Sequence, residues 1–203
     1  MDVAFERTGE RRYATVITVP GRNPRRLDPA PGYDENIPHD LVHYLAEAEL
    51  GLTSGVFGRA AAGGGDFIET TETPGDPRRR ARAQRKLKKR ESSLARTDRG
   101  DMARSEHLAG LCDIAWRRRA SATTPAWAEH TTVPPEDAPI VDRILNRLDA
   151  LAPLWRALPV GSALTFTWPN ATPTPRTPAQ PKTNLNPTTR PDPQRGPTRQ
   201  SAT

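Results

Sequence analysis

Leu164-Thr165-Phe166-Thr167-Trp168 alternates large apolar with hydroxyl-bearing side chains. Such alternation marks a half-buried strand, because successive side chains point to opposite faces of a sheet. A single strand needs a partner, and the best match lies at the other end of the chain. Residues 2–7 and 11–19 read as a hairpin that turns at Thr8-Gly9-Glu10, with the strand formers Tyr13, Val16, Ile17 and Val19 in its second arm. Pairing the two predicts an α+β fold: a small antiparallel sheet, made of the N-terminal hairpin plus a strand about 160–168, packed against three to four helices. Residues 1–168 then form a single domain.

The helices are read from apolar spacing. Leu41, Leu45, Ala48 and Leu52 recur at helical intervals over 38–50, with Val42 and Tyr44 beside them. Pro38 suits the first turn, where its missing N–H leaves no bond unmade. Gly51 is placed to end the helix. A short apolar stretch from Val56 to Ala62 runs into Gly63-Gly64-Gly65, and the polar residues 66–77 follow. Asp101 to Arg119 forms an amphipathic helix with Leu108, Leu111, Cys112 and Ala115 on one face, and Arg117, Arg118 and Arg119 in the last turn, where the helix dipole favours cations. From about Asp137, residues Val141, Ile144, Leu145, Leu148, Leu151 and Trp155 make the strongest apolar face in the chain. Pro153 is expected to kink or end that helix. Residues 20–36, with four prolines, and 120–135 are loops.

Charge is unevenly spread. The chain carries +6. Arg78, Arg79, Arg80, Arg82, Arg85, Lys86, Lys88, Lys89 and Arg90 give +9 within residues 78–90, and residues 169–203 give +4, which leaves −7 for the remainder. Residues 78–96 are a charged arm or a solvated helix, since only Leu87 and Leu94 there are large and apolar. The basic run suits phosphates or an acidic protein partner, although no aromatic side chain interleaves with it to stack on bases. Residues 169–203 hold nine prolines and, apart from Leu185, no large apolar residue, which predicts a disordered, Pro-rich basic tail. Cys112 is the only cysteine, which fits a reducing cytoplasmic setting and a small buried side chain. No apolar run nears the roughly 18 residues of a membrane span, and the N-terminus does not read as a signal peptide.

One constellation carries chemistry. His39-Asp40-Leu41-Val42-His43 sets two imidazoles at i and i+4 on one helix face, a spacing that lets both approach one ion such as zinc. In H-E-x-x-H metalloproteases the second residue is the general base, and here it is Asp40, one methylene shorter. Glu47 extends the stripe. It lies roughly 12 Å from His39 along the axis, too far for all three to share one ion. The wheel sets the stripe at the border of the buried face. A third ligand has to come from elsewhere, with His107, Cys112, Glu106, His130 and Asp34 the candidates. Asp40 and Glu47 are the candidate catalytic bases of a metal-dependent hydrolase.

The stretch Asp28-Pro29-Ala30-Pro31-Gly32-Tyr33-Asp34, then Pro38 to His43 and Glu47, then Leu50-Gly51-Leu52 and Gly55-Val56-Phe57-Gly58, resembles a group of uncharacterised bacterial proteins that share a P-H-D-x-x-H-x-x-x-E block. The resemblance covers about residues 1–168 in layout. It implies one domain in a bacterial cytoplasm and assigns no role to any residue. Three functions follow from the sequence: a polar or divalent-metal site on the edge of helix 38–50, an electrostatic binding module at 78–90, and a hydrolase of the H-D-x-x-H type.

Overall fold

The computed structural model describes residues 1–32, 34–70 and 77–170. The N-terminal hairpin consists of β1 (Asp2–Gly9) and β2 (Arg12–Thr18). The strand that ends the described fold, β5 (Ala163–Thr167), lies antiparallel to β1, with Asp2 opposite Thr167 and Glu6 opposite Ala163. The expected union of the chain ends is therefore present. Val3 stands opposite both Ile17 and Phe166, and all three are buried. That shared register builds one apolar face across three strands.

The sheet is larger than the sequence implied. β3 (Arg25–Leu27) and β4 (Ile68–Glu69) extend it to five antiparallel strands in the order β4-β3-β2-β1-β5. Both lie in stretches read as loop or polar segment. Strands of three and two residues carry no detectable alternation. They are held by ladder bonds to their neighbours and by side chains such as Arg26, whose Nη1 donates to Glu6 Oε2 at 2.6 Å.

Among the described residues five α-helices complete the fold: α1 (His39–Leu50), α2 (Val56–Ala61), α3 (Pro77–Thr97), α4 (Asp101–Arg119) and α5 (Ala138–Arg156). α1 packs on α4 and α5, and Leu41, Leu45, Leu108, Cys112, Ile144 and Leu148 share one core with the sheet face. Pro153 does not end α5, which continues to Arg156 and buries Trp155 against Tyr13. Phe5, Tyr44, Phe57, Phe166 and Trp168 form an aromatic cluster of mostly edge-to-face contacts between α1, α2 and the sheet. The chain stays docked to Asn170, whose carbonyl accepts the Tyr44 hydroxyl at 2.8 Å. The expected disordered tail otherwise lies outside the described residues, from 171 onward.

α3 is a helix throughout its described length. Its C-terminal half is anchored: Arg59 donates to Glu91 at 2.6 Å and to Asp98 at 2.8 Å, and Glu91 also accepts the Gly65 N–H at 2.7 Å. Its basic N-terminal half projects, with Arg82, Arg85, Lys86, Lys88, Lys89 and Arg90 exposed. Among the described residues no helix is long and apolar enough to cross a membrane.

Candidate functional site

α1 begins at a closely packed entry. Asp34 Oδ1 accepts the backbone N–H of Asn36 at 2.7 Å and of Ile37 at 3.3 Å, while its Oδ2 meets Arg117 Nη2 at 2.7 Å. Those bonds lower the Asp34 pKa against the opposing effect of burial. The loop so fixed brings Gly32 against His39, where a β-carbon on Gly32 would stand 2.6 Å from His39 Cβ. Gly32, at φ +66°, leaves room for that approach.

Asp40, His43 and Glu47 prove to be buried, not at a border of the buried face, and only His39 keeps a half-exposed position. Asp40 is 7% exposed, His43 4% and Glu47 0%. A helical wheel considers one helix alone, whereas α4 and the start of α2 cover this flank. Ser105, on α4 and fully buried, lies between His43 and Glu47. Its hydroxyl donates to Glu47 Oε1 at 2.7 Å and stands 3.0 Å from His43 Nδ1.

Glu47 is a helix cap supplied from a distance. Its Oε1 accepts the Val56 N–H at 2.6 Å, and its Oε2 accepts those of Phe57 at 2.9 Å and Gly58 at 3.3 Å. These are orphan donors at the N-terminus of α2, whose own N-cap residue, Gly55, has no side chain to serve them. Burial raises the Glu47 pKa, opposed by Ser105 and the three backbone donors, all of which favour the ionised form. Asp40 points toward the sheet. It accepts the Thr15 hydroxyl at 2.6 Å, its own N–H donates to the Tyr13 hydroxyl at 3.3 Å, and burial raises its pKa.

Proton positions follow by counting. The one hydroxyl proton of Ser105 goes to Glu47, so Ser105 accepts from His43 Nδ1–H. His43 Nε2 then carries a lone pair, which accepts Nε2–H of His39 at 3.1 Å. His43 is neutral in this arrangement. Burial, with the charge of His39 second, pushes its pKa down to about 4. A chain of hydrogen bonds thus runs from the half-buried His39 through His43 and Ser105 to Glu47 and the start of α2.

The candidate third ligands separate clearly. Glu106, next to Ser105 on α4, puts Oε2 3.7 Å from His43 Nε2, and its side chain is 62% exposed. His107 turns away to Asp137 at 3.0 Å. Asp34 is held by Arg117. Cys112 is buried, with its thiol pushed up to about 12, and His130 is exposed in a loop. Among the described residues no group of three or more His, Cys, Asp or Glu side chains is arranged to hold a metal ion.

Two participants carried no sequence signal. Ser105 is a lone serine in an amphipathic helix. The start of α2 is marked only by the absence of a capping side chain at Gly55. Compared with known protein families, curated proteins and solved structures, the chain matches none.

Proposed function

We propose that His39 and His43 are a two-histidine anchor for a first-row divalent ion such as zinc, completed by Glu106 and water. The separation of the two Nε2 atoms, 3.1 Å, carries this reading. With metal–nitrogen bonds of about 2.1 Å, nitrogens that far apart subtend an angle of about 95° at a shared ion, within the range of coordination geometries. His43 is held neutral and is oriented by Ser105, as ligating imidazoles are oriented by a partner on the other ring nitrogen. Binding requires that His39 move its ring proton to Nδ1, that the two rings turn so that both Nε2 lone pairs meet at the ion and not along the line between them, and that Glu106 swing in from solvent. The setting proposed is the bacterial cytoplasm.

Asp40 and Glu47 have structural partners on every side, so the hydrolase reading draws no support from their geometry. The electrostatic module retains one specific observation in its favour: Arg82, Arg85 and Lys88 are exposed on the projecting half of α3 and take part in no ion pair among the described residues. Those cations suit an acidic protein or nucleic acid held by charge alone.

The test is a titration of tag-free protein with cobalt(II), nickel(II) and zinc(II). One equivalent is expected to bind, with loss of affinity in His39→Ala and in His43→Ala. Ser105→Ala is expected to weaken binding by about 10-fold, the effect of removing a ligand's orienting partner. Binding of the same strength in His43→Ala, or substoichiometric binding of all three ions, would overturn the proposal.

A further inference from the structure

A cleft of about 710 Å³, lined by neither histidine, opens between α3 and the β3–β4 edge of the sheet. Its volume lies in the range of small-molecule sites. The floor is apolar: Ile17, Val19, Phe67 and Leu87 line it, and Ile68 borders it. Ile68 is 61% exposed and so leaves apolar surface open beside the cleft. Leu87 is one of only two large apolar residues on α3, and it faces into this space.

The rim is cationic. Arg22 and Arg25 contribute from the sheet side, and Lys86, Lys89 and Arg90 from α3, against the single carboxylate of Glu69. Among the described residues none of the five cations forms a salt bridge, whereas the Arg26 and Arg59 nearby are fully paired. Arg25 spends its guanidinium on the carbonyls of Gly64 at 2.7 Å and Ala60 at 2.5 Å, at the end of α2. Arg90 Nε donates to the Ala62 carbonyl at 3.1 Å. The nine-residue basic run therefore divides by helix face: Lys86, Lys89 and Arg90 turn into the cleft, and Arg82, Arg85 and Lys88 do not line it.

An apolar floor under five cations and one carboxylate, counted among the described residues, calls for one kind of occupant. We infer that this cleft binds a small amphipathic anion, an alkyl or aryl body bearing a carboxylate or phosphate head. The body replaces water over Val19, Ile68 and Leu87, which keep exposed apolar surface above the buried Ile17 and Phe67, and the head is met by Arg22, Lys86 and Lys89. Phe67 is the only aromatic side chain in the lining and is itself buried, so a polynucleotide finds charge here without a stacking platform. The site is independent of the histidine pair.

The experiment uses the full chain and an anthroyloxy-labelled stearate, below its micellar concentration, followed by fluorescence anisotropy. Saturable one-to-one binding is expected, displaced by unlabelled stearate and by dodecyl phosphate. The methyl ester of stearate is expected to compete at least about tenfold less well, a difference of about 1.4 kcal/mol. Arg22→Glu combined with Lys89→Glu is expected to weaken binding by a similar factor. Because both residues are on the surface, circular dichroism reports whether the fold is kept. Leu87→Ser is the second variant and probes the floor without altering charge; weaker binding is expected. Equal competition by the ester, or unchanged binding in both variants, would overturn the inference. So would displacement by a short single-stranded oligonucleotide but not by stearate.

Discussion

Gly55→Ala tests the view that Glu47 is a remote cap for α2. Gly55 has φ −77° and ψ −166°, a conformation open to alanine, so backbone strain contributes nothing. The added methyl would stand 2.4 Å from Glu47 Cδ and Oε1 and 2.7 Å from Oε2. The carboxylate has to leave, and with it go the bonds to Val56, Phe57, Gly58 and Ser105. A buried donor left unsatisfied costs about 1–3 kcal/mol. Val56 lies near the surface and regains water, so three stranded donors make the expected loss about 3–9 kcal/mol, a large part of the roughly 5–15 kcal/mol that holds a domain folded. Glu47→Ala strands the same four donors and loses a similar amount. In the double variant the methyl no longer meets a carboxylate. The double loss should fall short of the sum by at least about 2 kcal/mol, toward the upper end of pairwise couplings. Urea unfolding followed by the fluorescence of the buried Trp155 and Trp116 measures all four proteins. Should the Gly55 variant prove too unstable, Ser105→Ala offers a milder partner for the same cycle with Glu47→Ala. A Gly55→Ala loss below about 1 kcal/mol, or strict additivity, would refute the capping account.

Arg59→Ala removes the bonds to Glu91 and Asp98, so hydrogen exchange should rise along α3 before it rises in α4; uniform change across the protein would contradict a local anchor. Asp137 is buried and accepts from Arg104 and His107. Its pKa is lowered, chiefly by the Arg104 bond, so its contribution is complete above the ordinary carboxylate value and is lost as pH falls through the lower folded value. The stability difference between wild type and Asp137→Asn should therefore shrink as pH falls below about 5; a difference that keeps growing below that pH would reverse the assignment. Phe166→Ala opens a cavity at the β1–β5 seam beneath Phe5 and Tyr44, with an expected loss of about 3–5 kcal/mol in denaturant titrations.

Long-range order was readable where periodicity was strong. The alternation of Leu164, Phe166 and Trp168 named both the strand and its partner, and the spacing of Leu41, Leu45 and Ala48 placed α1 within a residue of its observed ends. β3 and β4 escaped because Arg25-Arg26-Leu27 and Ile68-Glu69 are too short to alternate. β3 is a strand only because β2 offers an open edge, and β4 only because β3 offers the next. The site divides in the same way. The i,i+4 geometry of His39 and His43 follows from helix pitch alone, so their meeting was predictable. The burial of Glu47 depends on α4 and α2, which approach from 58 and 9 residues away in sequence, and no property of α1 records their positions.

The pairing of Asp2 with Thr167 has a consequence for synthesis. β1 precedes every other strand of the described fold and sits inside the sheet, yet its second neighbour is the last of them. At roughly 5–20 residues per second, β1 waits about 8–30 s between completion of the hairpin and arrival of β5. Throughout that interval one side of its backbone is an open edge, the kind of surface on which nascent chains join one another. β1 carries Asp2, Glu6 and Arg7 along that edge. Charges spaced in this way make a poor template for a stranger's strand. In the finished fold Thr167 bonds Asp2 at 3.0 Å, so a group that discourages wrong neighbours during translation becomes a contact with the right one.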